Sequence, residues 1–324
     1  MNKYFITGGA GFIGSHLTNY LLSRGAIVTV YDDFSNGQIW HFGNNAINPN
    51  LKIIKADVRN EEVLNSSICG HDVVFHLASN ADIARAVTDP DIDFSNGTLL
   101  TRCVLEAMRK NGVRQIVFTS GSGVYGEVPS TPVKEDFSPM IPVSTYGAQK
   151  LASEVLISAY SFMFDMRGMV FRFANVVGPQ QTHGVAYDFL RKLTKTPNNL
   201  KIMGDGTQSK PYIHVSDVIE AFMTIVDDGN KNKLGYDYFN VASTDYLTVN
   251  EIADLVCQKM DLQNVKYEYS GGSRGWKADV PFYRLDTTKI RKKGWSNKFG
   301  SREAVLHAVS SMIVDIKNGK IKVL

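Results

Sequence analysis

Residues 4–25 read YFITGGAGFIGSHLTNYLLSRG, in which a short apolar run is followed by a glycine-rich turn and a helical pattern. Glycines 9, 11 and 14 have the spacing G-x-G-x-x-G, and Gly8 begins the variant G-x-x-G-x-x-G. Glycine permits a tight turn, close approach of the main chain to a pyrophosphate, and close packing of helix on strand. The helix N-terminus presents N–H groups to phosphates. The predicted contacts of this dinucleotide site are Gly8, Gly11, Phe12, Ile13 and Gly14.

Beyond this turn, β-branched or aromatic runs alternate with helical periodicity. The predicted strands are YFIT, IVTVY, LKIIKA, DVVFHLA, QIVFTS and MVFRF, and the predicted helices lie near 12–24, 61–67, 91–111 and 144–165. This alternation predicts an α/β Rossmann fold, with a doubly wound parallel sheet built from right-handed βαβ units. After residue 175 come loops rich in Gly, Pro and Gln, with helices near 184–195 and 301–318. We therefore expect a dinucleotide-binding domain over 1–175, with segments returning from the C-terminal half, and a smaller substrate lobe over 176–324.

The composition is that of a folded globular protein. Of the 324 residues, 44% are hydrophobic and 21% are charged, and 35 basic against 32 acidic residues leave a net charge of +3. This weak, scattered charge argues against a nucleic-acid partner. Three distant cysteines offer neither a disulfide framework nor a zinc spacing, and no apolar run is long enough to cross a membrane. We expect a cytoplasmic protein without a bound metal.

The second strand ends in acidic residues that favour one cofactor. Asp32 follows Gly14 by about 18 residues, where a carboxylate can accept hydrogen bonds from an adenosine ribose. Because a carboxylate would repel a 2′-phosphate, the sequence predicts NAD and not NADP. The alternative is that these aspartates only end a strand. The expected contacts in this segment are Asp32, Asp33, Ser35, Asn36 and Gly37.

A tyrosine and a lysine are four residues apart in STYGAQKLASEVL, which has helical apolar spacing. Positions i and i+4 share one helix face, so Tyr146 and Lys150 can meet over one substrate. A nearby cation favours the phenolate, which could remove a hydroxyl proton as hydride leaves the same carbon. Most isolated Tyr-x-x-x-Lys pairs lie on surfaces. Together with the dinucleotide pattern, this pair predicts an acid/base site.

Several motifs together resemble the extended short-chain dehydrogenase/reductase family, in particular its sugar-nucleotide 4-epimerases. They are TGGAGFIG, ADV, HLAS, VYG, YGAQK, RFANVVGP, YIHVSD and LDTTKIRKKGW. The resemblance covers nearly the whole chain and implies bound NAD, a nucleoside-diphosphate sugar such as a UDP-hexose as substrate, and a homodimer. It also implies further cofactor contacts at Asp57, Val58, Leu77, Ala78, Ser79, Asn96, Ser120 and Ala174. The implied substrate contacts are Ser122, Gly123, Asn175, Tyr187, Lys210, Tyr212 and Arg274.

The chain departs from the family pattern at three positions. Lys210 stands where many members have an arginine, which keeps the charge but loses bidentate binding of a phosphate. Trp276 takes the place of a second arginine, which moves that expected contact to Arg274. The family's catalytic Ser or Thr corresponds to Gly121, which has no hydroxyl. Either Ser122 or a water molecule would then replace it.

The residues of the loop after the fifth strand differ between family members that catalyse different reactions. Related 4,6-dehydratases carry Asp-Glu in place of Ser122-Gly123, and related decarboxylases carry Glu in place of Gly123. Without these groups, the chemistry that remains is 4-epimerisation through a transient 4-keto sugar. The alternatives are a one-way 4-ketoreductase, a dehydrogenase or dehydratase of the same family, and an NAD-binding regulatory protein without turnover.

The helices near 91–111 and 144–165 suggest how a dimer could form. Their apolar faces could pair across a two-fold axis into a four-helix bundle, or could simply cover the sheet. The positions concerned are Leu100, Val104, Met108, Leu156, Ala159 and Met163.

Overall fold

The computed structural model describes residues 2–80, 83–228 and 234–321, which form two units. The first unit comprises Met1–Gly126, Ser138–Arg172 and Phe222–Phe239. The second comprises Glu127–Phe137, Phe173–Ala221 and Asn240–Leu324. The first half of the chain thus contributes a short segment to the second unit, and a later segment returns to the first.

A seven-stranded sheet of the Rossmann type forms the centre of the first unit. Its strands follow the order β3-β2-β1-β4-β5-β6-β11, in which the chain winds outward from β1 in both directions. The pairs β1-β2, β2-β3, β1-β4 and β4-β5 are parallel. The predicted α/β fold is confirmed. The strands are β1 Lys3–Thr7, β2 Ile27–Asp32, β3 Leu51–Lys55, β4 Val73–His76, β5 Gln115–Gly121, β6 Arg167–Phe173 and β11 Gly235–Val241.

Helices cover this sheet, and the apolar runs of the central strands are buried between them. Short 3-10 segments at Ile39–Ile47, Ile83–Val87 and Ser122–Tyr125 have no counterpart among the predicted elements. The helices are α1 Phe12–Ser23, α2 Glu61–Ile68, α3 Asp91–Asp93, α4 Leu99–Lys110, α5 Thr145–Met163 and α7 Val215–Val226, whose last residues belong to this unit.

The helix predicted over 91–111 is interrupted. Between α3 and α4 the chain makes a π-helical turn, Phe94–Thr98, in which Asn96 has non-helical angles (φ −105°, ψ 24°). In this turn Gly97 is buried against the side chain of Gln149 on α5. π-turns of this kind occur frequently at functional sites.

One expectation for the dimer was wrong. Leu100, Val104 and Met108 of α4 are buried in the core of the first unit, so they cover the sheet and cannot pair across an axis. Helix α5, by contrast, carries exposed apolar residues. Phe162 and Met163 are 72% and 71% exposed.

The second unit consists of two-stranded sheets and helices. β7 pairs with β10 and β8 with β13 in parallel, whereas β9 pairs with β12 antiparallel. No helix in the described ranges is both long and apolar enough to cross a membrane. The elements are β7 Asn175–Val177, α6 Val185–Lys195, β8 Asn199–Ile202, β9 Ser209–Lys210, β10 Tyr212–His214, β12 Leu247–Thr248, α8 Val249–Lys259, β13 Lys266–Tyr269, α9 Thr288–Arg291 and α10 Ser301–Lys317.

Candidate active site

The glycines after β1 lie where a side chain would collide with the main chain. Gly8 has a φ of +69°, and a Cβ there would be 2.7 Å from the backbone nitrogen of Ala78. A Cβ at Gly14 would be 2.2 Å from the carbonyl oxygen of Gly8, whereas at Gly11 the same distance is 3.3 Å. The turn therefore packs, backbone against backbone, on the start of α1 and on the segment after β4.

Helix α1 begins without a side-chain cap. Its N-cap is Gly11, and its first turn, which starts at Phe12 and Ile13, contains no acidic residue. First-turn N–H groups have no acceptor within a helix, and together with the helix dipole they attract anions. This helix end and the close-packed glycines fit the pyrophosphate of a dinucleotide.

Asp32 is buried at the end of β2, beside the glycine turn. Its carboxylate accepts hydrogen bonds from the backbone N–H groups of Ala10 (2.9 Å) and Phe34 (2.8 Å). Burial raises the pKa of Asp32, and these two bonds oppose the rise. A Cβ at Gly37 would be 2.9 Å from Oδ1 of Asp32, so Gly37 lies against the carboxylate as well. The structure thus brings the predicted ribose-binding residue to the predicted phosphate-binding turn.

The other acidic candidates are held by neighbours in the chain. Asp33 accepts hydrogen bonds from the backbone N–H (2.8 Å) and the hydroxyl (2.7 Å) of Ser35, and Asn36 is exposed beside them. Asp57 accepts bonds at 2.9 and 3.1 Å from Nε of Arg59, which lowers its pKa. These side chains are therefore oriented by the protein itself.

The five remaining cofactor candidates of the segments after β3, β4 and α3 differ in their surroundings. Leu77–Ser79 follows β4 and contacts the glycine turn through Gly8. Asn96 lies in the π-helical turn, where its carbonyl oxygen accepts the N–H of Asn80 at 2.9 Å. Val58 is packed in the core of the unit.

Tyr146 and Lys150 lie in the first two turns of α5. Ser144 caps this helix by accepting the N–H of Gly147 at 3.1 Å. The ammonium of Lys150 donates to the carbonyl oxygen of Thr119 at 2.9 Å and is 5.6 Å from the centre of the Tyr146 ring. Within the described part of the chain, no residue hydrogen-bonds the Tyr146 hydroxyl, which leaves it available to a substrate.

The electrostatics of this pair include a carboxylate that the sequence patterns did not single out. Burial lowers the pKa of Lys150 to about 8 and raises the pKa of Tyr146 to about 12. The charge of buried Asp93 raises the pKa of both groups. Asp93 accepts hydrogen bonds from Asn80 (2.8 Å) and from Thr145 (2.7 Å), the residue before the tyrosine.

The turn after β5 approaches α5 closely. A Cβ at Gly147 would be 2.5 Å from the carbonyl oxygen of Gly123. Gly121 is extended and ends the strand, and Ser122 opens the turn in a half-buried position. The buried hydroxyl of Ser120 has no hydrogen-bond partner among the residues described. Ser120, like Ser122, thus places a hydroxyl-bearing residue directly beside Gly121 in the chain.

A buried ion pair joins this turn to helix α5. Nη2 of Arg172 donates to a carboxylate oxygen of Glu154 at 2.7 Å, and Nη1 donates to the hydroxyl of Tyr125 at 2.9 Å. Glu154 lies one helical turn after Lys150, and its charge raises the lysine pKa. The pair therefore joins the turn to α5, and the Glu154 carboxylate supports the charged form of Lys150.

Two substrate candidates of the second unit face each other. Asn175 and Tyr212 are register partners on β7 and β10, and a hydrogen bond from Asn175 opposes the rise in the Tyr212 pKa that burial causes. Ala174 is buried directly before this pair, and Tyr187 is half-buried near the start of α6.

The two cationic candidates of this unit have acidic partners. Nζ of Lys210 is 2.5 Å from Oδ1 of Asp279. Arg274 donates to a carboxylate oxygen of Glu127 at 2.5 Å and to the carbonyl oxygen of Asp279 at 2.8 Å. The second carboxylate oxygen of Asp279 accepts the N–H of Gly275 at 3.0 Å. Buried Asp279 therefore holds both cations.

The sequence and the fold of this chain are similar to those of known proteins. The sequence model of the NAD-dependent epimerase/dehydratase family matches residues 4–242. The chain is 31% identical to a UDP-glucose 4-epimerase of Mycolicibacterium smegmatis, over 95% of this chain and 97% of that protein. A crystal structure of a UDP-galactose 4-epimerase superposes with a TM-score of 0.86 and 34% identity, over 97% of this chain and 99% of that one. A UDP-glucose 4-epimerase of Thermus thermophilus, solved with NAD, gives a TM-score of 0.83 and 29% identity, over 96% and 99%.

These matches and the site define an NAD-dependent enzyme with a Rossmann domain. The chain belongs to the NAD-dependent epimerase/dehydratase family, within the extended short-chain dehydrogenases/reductases. The predicted family and its cofactor, NAD, are confirmed. Across the described ranges, no group of three His, Cys, Asp or Glu side chains is placed to hold a metal ion.

Proposed function

We propose that this protein is a 4-epimerase of UDP-hexoses, of the UDP-glucose/UDP-galactose type. The observation that carries the proposal is Tyr146, whose hydroxyl has no protein partner among the described residues and whose ring centre is 5.6 Å from the buried ammonium of Lys150. The names of the relatives at 31% and 34% identity support it.

In this proposal Tyr146 is the acid and base of the reaction. Its phenolate removes the proton of the 4-hydroxyl. After the 4-keto sugar has rotated in the site to present its other face, the phenol returns that proton to the oxygen on carbon 4. Lys150 stabilises the phenolate by its charge. Bound NAD supplies the hydride acceptor and donor at carbon 4, held by the glycine turn and Asp32. Ser120 or Ser122, or a water molecule, supplies the hydrogen bond that Gly121 cannot make.

The turn after β5 favours epimerisation over dehydration. Elimination of water needs a further acid and base at the sugar. Ser122 and Gly123 provide neither, although Asp93 and Glu154 are buried nearby in the first unit with partners of their own. A one-way 4-ketoreductase would use the same residues, and a regulatory NAD-binding protein would need no proton-transfer pair.

We assign the nucleoside diphosphate to the second unit. Lys210 and Arg274 would meet the phosphates, while Asn175, Tyr187 and Tyr212 would contact the remainder of the substrate. Half-buried Lys210 could exchange part of its interaction with Asp279 for a phosphate, because Asp279 keeps its bond to Gly275.

We further propose a cytoplasmic homodimer formed through α5. Val155, Phe162 and Met163 are exposed on this helix. They recur at i, i+7 and i+8, so they share one face. A second copy of the chain would cover them in a helix bundle.

One assay tests the proposed reaction. The purified protein is incubated with UDP-, dTDP-, GDP- and CDP-sugars, and NMR identifies the products. We expect UDP-glucose and UDP-galactose to interconvert without net formation of NADH. Stoichiometric oxidation or reduction of the cofactor would favour the ketoreductase, and no turnover with any sugar would favour the regulatory protein.

A further inference from the structure

Gly97 and Gln149 share one space in the first unit. An ideal Cβ at Gly97 would be 2.2 Å from Oε1 of Gln149, 2.5 Å from its Cδ and 3.0 Å from its Cγ. The amide of Gln149 therefore fills the volume that any side chain at position 97 would need. The π-helical turn carries this glycine, and α5 carries the glutamine between Tyr146 and Lys150.

The amide of Gln149 is only half satisfied. Its Nε2 donates to the hydroxyl of Ser79 at 3.3 Å. Its Oε1 is buried and accepts no hydrogen bond from any residue that the structure describes. A buried acceptor without a donor lowers the stability of the fold, so such a group needs an explanation. A ligand that brings its own donor would provide one.

We propose that Gln149 is a cofactor-binding residue, whose Oε1 accepts a hydrogen bond from the nicotinamide half of bound NAD. That half carries suitable donors, namely two ribose hydroxyls and a carboxamide. Gln149 lies next to the acid/base pair in sequence and bonds Ser79, which follows β4 beside the glycine turn. Gly97 is then the residue that leaves room for this amide.

The rival explanation is that Gln149 only fills space between two helices. In that case its polar atoms would contribute nothing to nucleotide binding, and an apolar side chain of equal length would serve as well. The two explanations differ in nucleotide affinity, which is measured without any sugar. The test therefore stays separate from the proposed epimerase activity.

The first experiment uses Gln149→Met in the full chain freed of bound nucleotide. Methionine keeps the length of the side chain and removes both polar atoms. We expect the Kd for NAD to rise about tenfold and the Kd for AMP, which has only the adenosine half, to stay unchanged. The melting temperature without nucleotide should not fall. An unchanged Kd for NAD, or an equal rise for both nucleotides, would overturn the proposal.

The second experiment tests the shared space by a double-mutant cycle. Gly97→Ala should weaken NAD binding by displacing the amide, and Gln149→Ser should weaken it by removing Oε1 from its position. Because both changes remove the same contact, the double variant should bind NAD about as well as either single variant. Losses that multiply in the double variant would show that the two positions act separately and would contradict the proposal.

Discussion

The two units hold their candidate residues in different ways. In the first unit, main chain packs on main chain at Gly8, Gly14 and Gly147, where a Cβ would be 2.2–2.7 Å from a backbone atom. In the second unit, the cations Lys210 and Arg274 are held by carboxylates. The first arrangement depends on the absence of side chains, and the second depends on ion pairs between side chains.

This difference explains why more of the candidate residues can be predicted from local sequence spacing in the first unit than in the second. Glycines that must pack against main-chain atoms recur at fixed spacings within one strand, turn and helix, and these spacings are visible in the sequence. An ion pair leaves no such spacing, because Lys210 and Asp279 are 69 residues apart and Arg274 and Glu127 are 147 apart. A Cβ added at a close-packed glycine of the first unit should therefore distort the backbone and weaken nucleotide binding, whereas loss of one partner of an ion pair in the second unit should leave the backbone in place.

The largest effect is expected for Tyr146→Phe. Loss of a general acid/base typically costs a factor of about 10²–10⁴ in rate, and NAD should remain bound because the glycine turn is untouched. Turnover by NMR and the NAD content of the purified protein measure both. Tyr160→Phe is the matched control: this tyrosine lies on the same helix, bonds Glu106, and should leave the rate near wild type. A Tyr146→Phe variant as active as this control would refute the mechanism.

A smaller loss is expected when the glycine turn is filled. Gly14→Ala places a Cβ 2.2 Å from a carbonyl oxygen. Relief of such a contact must distort the backbone at a cost of about 1–3 kcal/mol. The Kd for NAD should rise by about a factor of ten or more, whereas Gly11→Ala, where the distance is 3.3 Å, should have a clearly smaller effect. Titration calorimetry measures both, and equal losses would argue against backbone packing as the cause.

The sequence predicted the sheet, the glycine turn, Asp32 and the acid/base pair, since each follows from local periodicity or spacing. It did not reveal Asp93 or Gln149. Asp93 acts through bonds to Asn80 and Thr145, which only the folded chain brings together. For the apolar face of α4 the sequence left two alternatives, a dimer partner and the sheet, because periodicity predicts that a face is buried and does not show what covers it. Only the structure places Leu100, Val104 and Met108 in the core.

In the second unit, Lys210→Met should raise KM for the sugar nucleotide more than it lowers kcat. A hydrogen bond to a charged group contributes about 1.5–3 kcal/mol, which corresponds to at least a tenfold change in KM. Lys192→Met is the control, because it removes a lysine paired with Asp188 on α6. If Lys210→Met lost activity through kcat alone, Lys210 would belong to the chemistry and the contrast between the units would fail.

A change of charge in the first unit should move a pH profile without abolishing the reaction. The pKa of Lys150 is about 8, so a rate that needs its ammonium should fall as pH rises through that value. Asp93 raises this pKa, and Asp93→Asn should therefore shift the falling limb to lower pH. Glu106→Gln, on the neighbouring α4, is the charge-matched control. If the falling limb of the pH–rate profile does not move in Asp93→Asn, Asp93 does not raise the pKa of Lys150.

The smallest effect on the rate is expected on the exposed face of α5. Tyr146, Lys150 and their partners Thr119, Asp93 and Glu154 all belong to the first unit of one chain, so the proton-transfer site does not require a second copy. Phe162→Glu puts a charge on a side chain that is 72% exposed, and it should convert the proposed dimer into monomers. Light scattering should then give the monomer mass at a nearly unchanged kcat. If the rate fell in proportion to the loss of dimer, part of the site would have to come from the partner.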